Sequence, residues 1–501
     1  MKQHDRPFWI LLIIGIALRL VALNQPLVDS HLLRQVQTAA ATKSLIEQPG
    51  FPLSSQIPWL GNLDARYIQE LPLYNYLVIP VYKIIGHLDA SGKLVSVALW
   101  ALSFWLLQKI WRRILIPQQT FWANLLFVVA PVGVFYGQAF MPEMLVQTLA
   151  FGFIVLTLRY DENPTLARWT ICATVGLLGL LVKLPEMSHL YLILAFLVFQ
   201  RERWGALARP RYWIAVVISA AVLKTWGGYM DSVNAAYLPQ LGGTANLRLF
   251  IGTLGARFHF TPWVMVLFYL GSFVIPGLAM PAACYGLWVC LRKHQQRILL
   301  PWLFSLAAFY LLWFGNTAAK QSYYNLVALA PLCALFGLGT TALLTLAPIA
   351  RHHRIAVSLT GFLLVVSVAP GLLYLFKEDR QILAAAFWAR DHVPPGEPLL
   401  FRPNHRWDMA NYPFNAVLAY YSDHPTFVWT GDTPEPYRKL ALERSRYAVV
   451  TLPQPPPQGL LGWLYRFRGA DRRQPESTDW IEASGYRPIK QQDRYAVYKR
   501  E

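Results

Sequence analysis

The sequence predicts a polytopic all-α membrane domain of about eleven transmembrane helices, followed by a small extracytoplasmic α/β domain. Three observations predict it. Of 501 residues, 55% are hydrophobic and only 14% are charged, against about 25% charged in soluble domains. Uncharged stretches close to the roughly 20 residues that cross about 30 Å of hydrocarbon recur along most of the chain. After Phe376 the composition turns soluble, and residues 377–501 hold 18 basic and 15 acidic side chains.

The first apolar run, Phe8 to Leu23, carries Arg19 and lacks a small-residue cleavage site, so it reads as a retained helix. Further apolar segments cover 91–108, 118–135, 144–158, 167–183, 187–200, 212–227, 262–290, 298–314, 324–346 and 355–376. Basic clusters punctuate them: Lys2 and Arg6; Lys109, Arg112 and Arg113; Arg159 and Arg168; Arg201 to Arg211; Arg292 to Arg297; Arg351 and Arg354. Each successive pair of clusters encloses two segments. The positive-inside rule then sets the N-terminus inside and the C-terminus outside the cytoplasmic membrane. The segment "LPLYNYLVIPVYKIIG" (71–86) contains two prolines and a lysine and reads as an interfacial or re-entrant helix in the first outer loop. Counting it as a twelfth span would invert everything after it. Outer loops then cover 25–90 and 228–261, with shorter ones at 136–143, 184–187 and 315–323. In the tail, the short β-like runs "PLLF", "TFVW", "YAVVTL" and "RYAVYK" accompany a helical stretch at 379–391. The domain boundaries are thus 1–376 for the membrane part and 377–501 for the soluble part.

Composition also excludes function classes. The net charge of +18 lies mostly in short loops and serves orientation, so no nucleic-acid partner is implied. The four cysteines fall in apolar segments without CxxC spacing, which leaves neither a disulfide framework nor a zinc knuckle. "PQPPP" (453–457) reads as a stiff surface loop. "GLGTT" (337–341) has no following lysine and lies inside a span, so its glycines serve helix packing.

Ionisable residues gather at the predicted outer face. "VDSHLLRQVQTAA" (28–40) supplies Asp29, His31 and Arg34 just past the first span. "QAFMPEM" (138–144) supplies Glu143, and "VKLPEMSH" (182–189) supplies Lys183 and Glu186. "NTAAKQSYYN" (316–325) supplies Lys320, Tyr323 and Tyr324, while Glu70 precedes the re-entrant segment. Such groups at the hydrocarbon boundary mark substrate sites. A carboxylate accepts the proton of a hydroxyl nucleophile, and Lys or Arg neutralises a phosphate leaving group.

In the order of these elements the chain resembles the GT-C superfamily of polyprenyl-phosphate-sugar-dependent glycosyltransferases. The nearest branch is the bacterial one related to protein O-mannosyltransferases and lipid A aminoarabinose transferases. The resemblance rests on the acid closing the first span, on "ELPLYNYLVIPVYKIIG", on "MPE" in the second outer loop and on "KQSYYN", and it covers about residues 8–346. It implies an inverting transfer from a polyprenyl-phosphate-linked sugar to a lipid, glycan or protein hydroxyl, among membrane lipids. Asp29 would be the general base and Glu143 a second acid that positions the acceptor. Lys320 and Arg34, with Lys183, Tyr323 and Tyr324, would contact the donor phosphate. Many relatives have a second acid directly after the first. This chain has Ser30 and His31 there, so His31 could share the proton handling, and Glu143 is one methylene longer than the commoner Asp. No cofactor is required. Some relatives bind a divalent metal near the position of Glu70, and Glu70 with His259 of "RFHFTP" would supply a carboxylate and an imidazole suited to zinc. His189 and "RHHR" (351–354) read as interfacial.

Two other classes compete. A transporter or flippase needs ionisable or helix-breaking positions at the midplane of several spans, and no midplane acid is seen. A polysaccharide polymerase or ligase handling lipid-linked glycans would centre on a large basic loop, whereas the second long loop carries only Arg248 and Arg257.

Overall fold

The structure is a computed structural model. It describes residues 6–61, 63–238, 247–248, 250–277, 279–293, 298–313, 321–378, 380–403, 415–430, 433, 435–452, 479–492 and 495–500. The chain opens with α1 (Arg6–Leu20) and α2 (Leu32–Glu47), then a two-stranded antiparallel ladder of β1 (Ser55–Gln56) and β2 (Arg66–Tyr67). There follow α3 (Leu73–Ile85), α4 (Leu88–Ile114), α5 (Pro117–Val129), α6 (Pro131–Tyr136), α7 (Glu143–Glu162) and α8 (Leu166–Val182). Next come α9 (Leu184–Ser188), α10 (Tyr191–Glu202) and α11 (Pro210–Asn234). Two compact units result: residues 1–25 with 68–376, and residues 26–67 with 377–501. The change at Phe376 coincides with the compositional shift. Residues 26–67, assigned by sequence to an outer loop of the membrane part, group with the C-terminal residues instead.

The first unit is helical. Among the described residues, every apolar segment named above lies mainly on helix, but not every helix is long. Among the described residues, five helices are long and apolar enough to cross a membrane: α4, α7, α11, Ser322–Leu344 and His353–Leu375. A sixth would be the pair Phe260–Val274 and Ala279–Arg292, bent by 104°. The single span expected over 262–290 is therefore broken. Pro276 has no amide hydrogen to continue a helix, and the chain turns there, with Ile275 N–H closing onto Leu270. The expected span 118–135 is likewise divided at Pro131 into α5 and α6. α3, at 13 residues, is about 20 Å long and too short to cross the hydrocarbon upright.

Two buried cations donate to backbone carbonyls. Arg19 is fully buried and donates to the carbonyls of Gly15 at 2.8 Å and Gly133 at 2.7 Å. Its guanidinium lies 3.6 Å from the Trp100 ring centroid. Lys93, near the start of α4, donates to the carbonyls of Ala22 at 2.8 Å and Gln25 at 2.6 Å, just past the end of α1. The Lys93 ammonium, just past the end of α1, suits the negative end of that helix's dipole. Glycines permit the closest approach between helices. A Cβ on Gly339 would lie 1.7 Å from the Ala282 carbonyl oxygen, and one on Gly337 would lie 2.3 Å from that of Gln119. "GLGTT" therefore packs the helix Leu329–Leu344 against both Ala279–Lys293 and α5, the role expected of small residues between membrane helices.

The second unit holds a five-stranded sheet, β4-β3-β5-β7-β6, made of β3 (Leu399–Arg402), β4 (Thr426–Val428), β5 (Tyr447–Thr451), β6 (Tyr486–Gln492) and β7 (Tyr495–Arg500). β3 runs parallel to β4 and β5, while β7 is antiparallel to β5 and β6. β3 and β4 are buried at every position, as strands covered on both faces are. Residues 59–61 extend the edge at β4: Gly61 N–H bonds to Thr426 O at 2.8 Å and Val428 N–H to Trp59 O at 3.2 Å. Gly61 has φ +62°, and a side chain there would strike the Phe427 ring. Lys43 of α2 pairs with Asp423 at 2.5 Å, and the Lys43 ammonium holds that carboxyl below the ordinary aspartate range.

Candidate active site

Pro142 precedes α7 and makes Glu143 its first residue, where unpaired amides and the positive end of the helix dipole favour a carboxylate. Lys183 is the extended residue between α8 and α9, with its own N–H closing α8 onto Gly179. Its Nζ lies 2.6 Å from Glu143 Oε1 and 3.0 Å from Glu186 Oε1, and none of the three side chains is more than 8% exposed. The ring centroids of Tyr323 and Tyr324 stand 4.6 Å and 5.0 Å from the same ammonium. Both tyrosines belong to the 3₁₀ stretch Ser322–Ala328. Tyr310 Oη fixes that stretch by donating to Asn325 Oδ1 at 2.8 Å, and Tyr136 and Ser322 hydroxyls bond at 2.8 Å.

Two carboxylates thus share one ammonium. Removing charges from water is costly unless the remaining lone pairs are also bonded. Here Oε2 of Glu143 and Oε2 of Glu186 have no hydrogen-bond partner among the described residues. Burial pushes the Glu186 carboxyl above the ordinary glutamate value.

Beside this triad opens a cavity. One face of α7 forms a wall of it: Glu143, Val146, Gln147, Ala150, Phe151 and Ile154, at the three- and four-residue spacing of a single helical stripe. Trp302, Leu190 and Leu326 continue the apolar lining; Glu186, His189 and Tyr323 complete the polar end. The result is amphipathic, polar at the start of α7 and apolar for about 16 Å along it.

The sequence-predicted residues fall into two groups. Glu143, Lys183, Tyr323 and Tyr324 are brought together in the first unit. Lys183, expected at a donor phosphate, is held by two carboxylates, so it reaches a phosphate only by giving one up. Lys320 lies outside the described residues. Asp29, His31 and Arg34 belong to the second unit. There Asp29 is buried and accepts from Gln35 Nε2, and His31 precedes α2 without capping it through its side chain. The Glu70 and His259 pairing gains no support as a metal site. His259 is exposed at the start of its helix, Glu70 is half-buried, and no three His, Cys, Asp or Glu side chains gather among the described residues. Sequence reasoning missed Gln147 and His189. Each lies one helical turn beyond a predicted acid, Gln147 four residues after Glu143 and His189 three after Glu186, and that spacing was the available signal.

The family described as dolichyl-phosphate-mannose-protein mannosyltransferase matches residues 69–229, a segment that includes Glu143, Lys183 and Glu186. No curated protein sequence matches the chain. Among solved structures, apo ArnT from Cupriavidus metallidurans is similar at a TM-score of 0.63 and 14% identity, over 98% of this chain and 97% of that one. ArnT from the same organism bound to undecaprenyl phosphate gives 0.63 and 13%, over 99% and 98%. The Archaeoglobus fulgidus oligosaccharyltransferase, tethered to an acceptor peptide containing the NVT sequon, gives 0.55 and 12%, over 89% of this chain and 69% of that one. The family match spans about a third of the chain, and the fold over its whole length is that of the ArnT structures. Its apolar helices are those of a multi-pass membrane protein.

Proposed function

We propose that the protein moves a sugar from a polyprenyl-phosphate donor to a hydroxyl acceptor at the outer face of the cytoplasmic membrane, within an eleven-span topology. The observation that carries the reading is the amphipathic cavity along α7. A charged and hydrogen-bonding end next to a long apolar wall suits a polar head on an isoprenoid chain, and suits neither a free nucleotide sugar nor a soluble peptide alone. The ArnT structure bound to undecaprenyl phosphate supports the same donor class. Asp29 is the general base: its carboxylate takes the acceptor hydroxyl's proton as that oxygen attacks the anomeric carbon. The bond from that carbon to the phosphate oxygen breaks, and polyprenyl phosphate leaves with inversion. Glu143 positions the acceptor, His31 assists in proton handling, and Arg34 and Lys320 neutralise the departing phosphate. The acceptor is a lipid, glycan or protein hydroxyl.

The test is transfer by purified, donor-loaded protein. Asp29→Asn keeps shape but cannot accept a proton, and should slow transfer at least about 10²-fold while leaving donor binding intact. His31→Ala should cost less. Near-normal turnover in Asp29→Asn, with Glu143→Gln inactive, would move the base to Glu143.

A further inference from the structure

Basic clusters that are separate in sequence meet at the end of the helical unit where α7 finishes, about 28 Å along that helix from Glu143. Arg113 at the end of α4 pairs with Glu162 at 2.8 Å. Arg168, at the start of α8, donates to the Arg159 carbonyl at 2.7 Å, and Trp169 Nε1 donates to the Arg211 carbonyl of α11 at 3.2 Å. Arg201, at the end of α10, and Arg211 each lie 2.8 Å from Glu202 Oε1, while Arg209 lies 3.4 Å from Glu202 Oε2. The segments 159–168 and 201–211 hold six arginines against three carboxylates, so the patch carries a positive surplus. Between α10 and α11 runs the 3₁₀ turn Arg203–Ala208, with Arg203 and Arg209 exposed at its two ends. The same turn exposes Trp204 at 75% and Leu207 at 58%, and Trp213, 53% exposed, donates from Nε1 to the Leu207 carbonyl at 2.8 Å. Arg203 itself has φ +50° and ψ −139°, a conformation that costs a side-chain-bearing residue energy and tends to be kept where it serves a site.

We propose that this corner between α10 and α11 binds the headgroup of an anionic phospholipid, with Arg203 and Arg209 on the phosphodiester and Trp204 and Leu207 against the upper acyl chain. A guanidinium matches two phosphate oxygens at once, and tryptophan settles at the headgroup level of a bilayer. A zwitterionic headgroup would bring its own cation to a patch that already has a surplus of them. A soluble anion would use the arginines and leave the two large apolar side chains in water. Below the corner, α11 exposes Ile214, Val217 and Ile218, a surface along which the acyl chains continue. The site is distinct from the Glu143 cavity and does not depend on which reaction that cavity serves.

The experiment offers the full chain, purified in an uncharged detergent, equal amounts of dioleoyl phosphatidylglycerol and dioleoyl phosphatidylcholine, and counts the retained lipids by native mass spectrometry. Phosphatidylglycerol should be retained at least tenfold over phosphatidylcholine. Arg203→Gln/Arg209→Gln should cut that preference to threefold or less. Arg351→Gln/Arg354→Gln removes the same charge from another exposed basic pair and should leave the preference unchanged. Arg203→Gly relieves the backbone at φ +50°, so its unfolding temperature should hold or rise while the preference falls, which separates a lost ligand contact from a damaged fold. Equal retention of the two lipids by the unaltered chain overturns the proposal. So does an equal loss in both double variants, because the attraction would then follow overall charge. An unchanged preference in Arg203→Gly overturns it as well, as does release of phosphatidylglycerol by excess inorganic phosphate, which would make the corner a site for a soluble anion.

Discussion

Lys183 sits where three effects compete: desolvation of its own charge, attraction to two carboxylates, and the faces of two tyrosines. A buried ion pair adds little to stability over an apolar replacement, but removing one partner is severe. Lys183→Met would leave Glu143 and Glu186 buried with like charges and no cation, a loss of about 3–5 kcal/mol. The expected outcome is a lower thermal unfolding temperature in nanodiscs, with part of the loss recovered in Lys183→Met/Glu143→Gln, since the double variant has one fewer unpaired charge. Additive losses in that cycle would show that the pair does not couple. Lys320→Ala tests the proposed phosphate contact separately. Transfer should fall about 10²–10³-fold with stability unchanged, the usual effect of losing one stabilising donor. At this scale the sequence was legible where chemistry is rare: an acid beside a proline at a span's outer end is hard to read as packing. Gln147 and His189 were less legible, because a single polar residue in an apolar run also suits a span that touches a neighbour. Only the fold shows that both face the cavity reached by Glu143.

Elements were legible wherever their pattern is local. Among the described residues the apolar segments proved mainly helical, and "GLGTT" was read correctly as packing because glycines inside a span have few other uses. What those glycines pack against was hidden, since the partners at Ala282 and Gln119 are far away in sequence. The breaks at Pro131 and Pro276 were hidden for a different reason. A proline within a membrane helix is often tolerated, and whether it kinks or ends the helix depends on what accepts the freed carbonyls. The gathering of residues 26–67 with the C-terminal sheet was hidden because it rests on pairings such as Leu60 with Phe427, which no local pattern encodes. The glycine contacts give a direct prediction. Gly339→Val places carbon atoms where the Ala282 carbonyl already lies, so the helices Ala279–Lys293 and Leu329–Leu344 must separate. Overpacking of this kind costs about 1–3 kcal/mol, and it should lower the unfolding temperature well beyond what Gly361→Val does, since Gly361 has open space around its Cβ position. Equal effects of the two variants would mean that the close helix contact does not form.

At the scale of the whole molecule, the second unit constrains the path of the chain through the membrane. Residues 26–67 and 377–500 share backbone hydrogen bonds, Gly61 to Thr426 and Val428 to Trp59, and Leu27 N–H reaches the Tyr421 hydroxyl at 2.6 Å. Segments that share a sheet edge are on one side of a bilayer. An even number of crossings is then expected of the chain between them, residues 68–376. The proposed topology, read from loop charges, puts ten spans in that interval, whereas among the described residues five helices there, or six with the bent pair, are long and apolar enough to cross. Counting α3 as a further span would make the number odd and divide the sheet between two compartments. Its 13 residues, about 20 Å, are also too few to cross about 30 Å of hydrocarbon. The side is tested by experiment: the proposed topology, with the basic N-terminus inside, expects residues 26 and 377 at the outer face. A periplasm-active reporter fused after Phe376 should be active, and one fused after Arg297 should be silent; a cytoplasm-active reporter should give the reverse. If the fusion after Phe376 is active only inside the cell, then either α1 does not cross or the sheet's two segments do not meet. A reporter placed after Gln25 separates those two outcomes, because it reads the crossing of α1 alone.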